Sequence, residues 1–273
     1  MNIFGGDWTR EKLDVLERYL NFYMTALKNQ PFKKIYIDCF AGSGTIKVGD
    51  NTEIEGSTIM ALNIDNKFDE YHFIEKDKKN YQELEKLKDK YHDLKIYTYN
   101  EDCNEALPKI ISKIDWRHNR GILFIDPYAT QLDFKTLKDV SATKAIDVWY
   151  LFPFHAVNRM LKRDKNINAE WKKVLNRCLG DDSWEDDLYF ENTQLNLFDK
   201  IEYEKVLPED VQRYICKKMK EAFPYVSEDY LILKNSRNSA LFLLFLLISN
   251  DNPKAIKLVK GVEKYILKDK TMI

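Results

Sequence analysis

Ile35-Tyr-Ile-Asp-Cys-Phe-Ala-Gly-Ser-Gly-Thr45 decides how this chain folds. An apolar run reaches a single carboxylate at Asp38 and then breaks into Ala41-Gly42-Ser43-Gly44. That is the pattern of a buried strand running into a glycine turn. Glycines at such a turn reach backbone angles closed to other residues and let a ligand approach the main chain. No third glycine follows at G-x-G-x-x-G spacing, so the dinucleotide fingerprint is absent.

The surrounding chain supplies the rest of a layered α/β core. Upstream, Thr9 is placed to cap a helix whose apolar positions Leu13, Leu16, Leu20, Phe22, Tyr23 and Leu27 fall at helical spacing. Downstream, a polar excursion from Lys47 to Glu55 reads as a surface loop, and Gly56-Ser57-Thr58 opens a helix. Further strands are expected at Tyr71–Ile74, Lys95–Tyr99, Gly121–Ile125 and Asp147–Phe152, with helices at 78–91, 104–114 and 134–140 between them. Apolar strands alternating with helices predict a parallel sheet covered on both faces. From His155 to about Glu228 the chain reads as helical and charged. Strand signals return at Tyr230–Lys234 and Ala240–Ile248. The expected organisation is a core of residues 1–154 and 229–273 with a helical insertion at 155–228. That insertion either shapes substrate choice at the carboxyl edge of the sheet or buttresses it.

Composition narrows the chemistry. The 273 residues can bury a full α/β core. Lys plus Arg (43) nearly cancels Asp plus Glu (44), so a nucleic-acid partner must be held by a local patch or a pocket. Cys39, Cys103, Cys178 and Cys216 form no C-x-x-C pair. That predicts reduced thiols in the cytoplasm, packed in or near the core, with no structural zinc or iron–sulfur cluster. No His/Cys/Asp spacing fits a metal, and no Ser-His-Asp set or Walker lysine is present. His72 and His155 read as structural. The first residues carry no charged-then-apolar signal pattern, and the longest apolar run, Ala240–Ile248, is too short for a bilayer.

Asp38, Glu75, Asp102 and Asp126 each end a predicted strand, so four acids line one sheet edge. The Asp38–Gly44 turn resembles the first motif of S-adenosylmethionine (SAM)-dependent methyltransferases, and the closing strand pair resembles the antiparallel end of their sheet. The expected fold is therefore Rossmann-like and methyltransferase-like, mostly parallel with an antiparallel terminal strand. The resemblance implies SAM as cofactor, held by Phe40, Gly42, Gly44, Glu75 and Asp102. Glu75 would accept from the ribose hydroxyls, Asp102 (or its neighbour Glu101) from the adenine amino group, and Asp38 would meet the methionine ammonium directly or through water. Asp126-Pro127-Tyr128 resembles the Asp/Asn-Pro-Pro-Tyr/Phe turn of amino-directed methyltransferases, with one proline missing. Its acid and a carbonyl would orient an exocyclic amine while the ring stacks on an extruded base. The alternative is a rigid turn that only shapes the pocket.

Together these motifs resemble the three-Cys-motif partner protein (TcmP) family, a set of bacterial methyltransferase-like proteins. The likeness runs through Trp8, Lys12 and Tyr19-Leu20, the Tyr36–Gly44 stretch, Gly56-Ser57, Phe73-Ile-Glu-Lys-Asp77, Phe124-Ile-Asp-Pro-Tyr128, Leu179-Gly180 with Trp184, and Leu197-Phe198. The family often has Gly where this chain has Ala129. The resemblance implies association with a radical-SAM-like protein that carries the cysteines; it supplies no substrate. The expectation is a methyltransferase acting on an amine of a nucleic-acid base. The alternatives are an accessory subunit of the three-Cys protein and a small-molecule or protein methyltransferase. Gln194-Leu-Asn-Leu-Phe198 also resembles the motif by which bacterial proteins bind the replication sliding clamp; the simpler reading packs Leu195, Leu197 and Phe198 onto the core.

Overall fold

The computed structural model describes residues 7–48, 52–192 and 202–268. Helix α1 (Asp7–Ala26) leads into β1 (Lys33–Asp38), the hairpin β2 (Thr45–Val48) and β3 (Thr52–Glu55), and α2 (Ser57–Asn63). There follow β4 (Glu70–Ile74), α3 (Lys78–Lys90), β5 (Ile96–Tyr99), α4 (Cys103–Lys113), β6 (Asn119–Ile125), α5 (Phe134–Ser141) and β7 (Ile146–Phe152). Beyond β7 come α6 (Phe154–Met160), α7 (Ala169–Leu179), α8 (Trp184–Asp187), the hairpin β8 (Tyr189–Asn192) and β9 (Glu202–Lys205), and α9 (Pro208–Ala222). The described chain closes with β10 (Tyr225–Val226), β11 (Leu231–Lys234), β12 (Ala240–Ile248) and α10 (Pro253–Lys268).

The main sheet has the order β10-β12-β7-β6-β1-β4-β5, with β11 also paired to β12. Strands β5, β4, β1, β6 and β7 are parallel. Strand β12 runs antiparallel to β7, with Leu243 opposite Phe152 and Ile248 opposite Asp147. The order reverses at β1, since β4 lies on one side of it and β6 on the other. A crevice at such a reversal, outside the carboxyl ends of the strands, is where ligands bind in open α/β sheets.

Alternation along the strands feeds two cores. Ile35, Ile37, Leu123, Ile125, Val148 and Tyr150 face one layer, together with Leu107 of α4 and Leu137 of α5. Tyr36, Ile122, Phe124, Trp149 and Leu151 face the other, against Leu16, Tyr19 and Leu20 of α1 and Leu62 of α2. The long segment after β7 joins the first core through Leu175, Leu179, Trp184, Ile215 and Met219. Much of it is therefore a packed buttress on one sheet face.

Three local expectations change. The polar excursion Lys47–Glu55 includes strand: Thr45–Val48 pairs with Thr52–Glu55, and Ile46 and Ile54 pack on the second core. The alternation of Ile46 and Ile54 with polar neighbours is the strand signal that the loop reading passed over. The stretch expected to be helical holds the β8–β9 pair, and Tyr225–Val226 already pairs with β12. Thr9 does not cap α1; it lies inside the helix, with its buried hydroxyl lacking a hydrogen-bond partner. The Gln194–Phe198 peptide lies outside the described residues. No helix among the described residues is long and apolar enough to cross a membrane.

Candidate active site

One cavity of about 1220 Å³ opens along the carboxyl edge of the parallel strands. It exceeds the roughly 300–1,000 Å³ usual for a small-molecule pocket, leaving room for a nucleoside-sized ligand and a second reactant. Phe40, Gly42, Gly44, Glu75, Asp102, Asp126, Pro127 and Tyr128 all line it. Of the site residues expected from sequence, only Asp38 stands off the wall.

The glycine turn builds the floor. Gly42 has φ +61° and Gly44 φ +88°, both in the left-handed region. A Cβ on Gly44 would come within 2.8 Å of Leu87 Cδ1, so angle and space both demand glycine there. At Gly42 a Cβ would meet nothing within 4 Å; only the backbone angle demands glycine, and the space beside it is open. The Gly42 N–H donates to Glu75 Oε2 at 2.8 Å, and the Asp77 N–H donates to Glu75 Oε1 at 2.7 Å. Glu75 is thereby fixed beside the turn, with a spare lone pair on each oxygen.

Asp38 is wholly covered. It accepts from Ser57 Oγ at 2.6 Å, from the Phe40 N–H at 3.2 Å and from Tyr36 Oη at 3.4 Å. Burial pushes its carboxyl up to about 7; the Ser57 and Phe40 bonds pull the other way, and the Asp126 charge adds to the rise. The expected contact with a ligand ammonium is therefore replaced by a positioning role: Asp38 ties the strand end, the turn and the start of α2 together. Ser57 of α2, the Phe40 main chain and Tyr36 close over its carboxyl.

Asp102 caps α4, accepting from the Asn104 N–H at 2.9 Å, and pairs with Lys76 Nζ at 3.0 Å. Burial alone would raise its carboxyl, but the Asn104 and Lys76 donors outweigh burial and hold it below the usual range. Glu101 lines the cavity as well and is bound to Lys109 at 2.6 Å.

Across the cavity, Asp126 Oδ2 is ion-paired with Lys12, whose side chain is only 4% exposed. Lys12 Nζ also lies 5.1 Å from the Trp8 ring centroid, and Trp8 packs on Phe242 at 4.9 Å. Tyr128 is 66% exposed at the mouth. Ala129 follows with φ +61°, a glycine-favouring angle at the position where the family resemblance expects Gly. His155 and Arg159 of α6 also border the cavity. His72 is structural: it is buried on β4, held 3.0 Å from Tyr99 Oη, and burial lowers its pKa to about 4.

Reading the residues alone gave Lys12, Trp8, Ser57, Leu241 and Phe242 no role in the site. Lys12 had a signal. Thr9, Lys12, Leu16, Tyr19 and Tyr23 share one buried face of α1, and a cation on such a stripe needs a carboxylate partner. Phe242 had none, because it comes from a strand far along the chain that reaches the site only when the sheet closes.

No protein-family model and no curated protein matches the chain. Among solved structures, protein LPL1258 from Legionella pneumophila (family model DUF519) is similar with a TM-score of 0.50 and 17% identity, over 96% of this chain and 92% of that one. A SAM-dependent methyltransferase from Clostridium acetobutylicum has a TM-score of 0.37 and 14% identity, over 85% of this chain and 91% of that one. The N-terminal domain of EvdMO1, solved in the presence of SAH and D-fucose, has a TM-score of 0.39 and 8% identity, over 85% and 82% of the two chains. These are likenesses of fold alone. The strand order, with its reversal at β1 and antiparallel β12, gives the chain a Rossmann-like α/β fold, and the similarity to LPL1258 agrees with it.

Proposed function

We propose that this protein is a SAM-dependent methyltransferase that modifies an amine of a nucleic-acid base. The observation that carries the reading is the cavity itself. A left-handed glycine turn with open space beside Gly42 meets Glu75 on one side and the Lys12–Asp126 pair on the other.

The residues present fit the cofactor. Glu75 offers acceptor lone pairs for vicinal hydroxyls, Phe40 and Cys39 offer apolar surface for a purine, and Asp102 adds an acceptor beyond them. Bound there, SAM supplies an electrophilic methyl group. The remaining tasks fall to the chain. Lys12 engages Asp126 Oδ2, which fixes the carboxylate and leaves Oδ1 for the hydrogen of an incoming amine. Accepting that hydrogen bond orients the nitrogen lone pair, and catalysis is then chiefly alignment. Tyr128, Trp8 and Phe242 provide aromatic surface for a planar acceptor.

Membership of the TcmP family, a radical-SAM-like partner and a cytoplasmic setting belong to the same proposal. Gly180 supports the family motif, having φ +101° and no room for a Cβ, which would lie 2.5 Å from Phe134. Trp184 does too, buried with its Nε1 donating to Asn176 at 2.7 Å. Four free thiols suit a reducing compartment.

The test is tritium transfer from labelled SAM into RNA, DNA, protein and small-molecule pools, alongside calorimetry with SAM. Asp126→Ala should lower transfer by about 100-fold or more, the scale of losing a positioned polar group, while SAM affinity stays within about threefold. A folded sample that binds no SAM overturns the enzyme reading. Unchanged turnover in Asp126→Ala overturns the role of the acid.

A further inference from the structure

We infer that the segment joining α6 to α7 is a binding track for the phosphodiester backbone of a single-stranded nucleic acid, leading its bases to the cavity. The inference rests on the base-directed reading above and says where such a substrate is held.

Charge is the first observation. The whole chain is close to neutral, yet Arg159, Lys162, Arg163 and Lys165 stand against the single carboxylate of Asp164, an excess of three positive charges in seven residues. Several cations elsewhere are held by acids, as in Lys12–Asp126, Lys76–Asp102, Lys172–Glu185 and Lys218–Asp181. Among the described residues no carboxylate pairs with any of these four cations. Unneutralised cations on a near-neutral surface are what a polyanion selects, and each phosphate they contact releases counterions.

Position is the second. Arg159 borders the cavity itself, and Lys162 and Arg163 continue outward from it as exposed residues. The track thus begins where Tyr128 and Asp126 would receive a base. The turn Asn235–Ser239, which carries Arg237, runs directly into β12, whose Leu241 and Phe242 also line the cavity.

Aromatic interleaving is the third. Lys162 Nζ lies 5.6 Å from the ring centroid of the half-buried Trp171, and Lys165 Nζ lies 4.5 Å from that of the exposed Tyr203 and 5.6 Å from that of Tyr189. Tyr189 is buried and braces the hairpin, leaving Trp171 and Tyr203 as the rings open to a base. Register places Tyr189 and Tyr203 on one face of the β8–β9 hairpin, and Glu202 and Glu204 on the other. Glu191 is the acid that shares the tyrosine face. Alternating cations and ring faces are the surface on which unpaired strands bind, because every base can stack and every phosphate carries charge. A single strand also presents its bases without the cost of unpairing.

The test is fluorescence anisotropy of labelled single-stranded RNA and DNA oligonucleotides of about a dozen nucleotides, titrated across salt concentrations. Lys162→Glu combined with Arg163→Glu should weaken binding at low salt about tenfold or more. It should also flatten the log-affinity slope against log salt by about 1.4, at roughly 0.7 per lost cation. SAM affinity and the melting midpoint should not change. The swapped control, Lys162→Arg with Arg163→Lys, should bind like the wild type. A charge-reversed variant that binds both oligonucleotides as tightly as the wild type overturns the track. So does a wild type that binds neither at low salt. If transfer to a free nucleoside persists in that case, the methyltransferase reading stands without the track. If SAM fails to bind while the salt-dependent oligonucleotide binding is present, it is the methyltransferase reading that falls.

Discussion

Asp38 closes β1 at the carboxyl edge of the sheet, and Asp147 stands near the start of β7 at the amino edge. Each carboxyl is pushed from its ordinary value to about 7, chiefly by burial, and each accepts a hydroxyl hydrogen bond. For Asp38 the nearer hydroxyl donor is Ser57 at 2.6 Å, with Tyr36 at 3.4 Å, and for Asp147 the donor is Tyr19 at 2.8 Å. The neighbours differ. Asp147 feels Arg120 and stitches α1 to β7. Asp38 feels Asp126 and Lys12 from the cavity and braces the glycine turn. Similar chemistry thus serves packing at one edge and a binding site at the other. Position relative to the strand ends, rather than residue type, decides which.

The largest effect that would break this comparison is on pH stability. Both acids hold a proton more tightly when folded than when unfolded. Their contribution to stability is therefore complete below about pH 4 and lost as pH rises through about 7. At about 1.4 kcal/mol per unit, Asp38 accounts for up to about 4 kcal/mol of that loss, and Asp147 for less, since it is only partly covered. Denaturant melts taken along a pH series should show stability falling across this window. Asp38→Asn should raise stability near pH 8 and remove much of the slope, and Asp147→Asn should do so more weakly. Slopes identical to the wild type in both variants would show that neither acid is held protonated by its surroundings.

Removing the hydroxyl partners sharpens the contrast. Ser57→Ala takes a donor from a fully covered carboxyl and should cost about 1–3 kcal/mol, whereas Tyr19→Phe should cost about 0.5–1.5 kcal/mol. Only Ser57→Ala should weaken SAM, by several-fold in calorimetry, because the turn it braces forms the cavity floor. Equal loss of SAM affinity in the two variants would mean that Asp38 has no special tie to the site.

The same contrast explains what was legible in the sequence. Strand ends are written locally: an apolar run, an acid and a glycine were enough to bring Gly42, Glu75, Asp102 and Asp126 to one edge. Burial of a strand-end acid is not local. Asp38 and Asp126 look alike in sequence and both close strands flanked on two sides, but the residue that covers Asp38, Ser57, arrives from another element. The Lys12 contribution was half-legible, as a cation on a buried stripe without a stated partner. The β8–β9 hairpin was hidden because its polar, charged strands make no apolar run. Tyr225–Val226 was hidden because two residues are too few to show a period.

The smallest test uses two residues in left-handed backbone, one at each edge: Ala129 with φ +61° after the Asp126–Tyr128 turn, and Lys144 with φ +53° just before β7. A Cβ in this region costs about 1–2 kcal/mol, and glycine relieves it while giving back about 0.5–1 kcal/mol of chain entropy. Each Gly substitution should therefore change stability by a few tenths to about 1 kcal/mol, in the stabilising direction. Lys144→Gly gives up the exposed pair with Asp251 at 2.6 Å, so its gain should be the smaller. The functional readout separates the edges. Ala129→Gly frees the backbone that carries Tyr128 and should shift the rate of methyl transfer, whereas Lys144→Gly should leave that rate alone. A rate that moves with Lys144 and not with Ala129 would put the chemistry at the wrong end of the sheet.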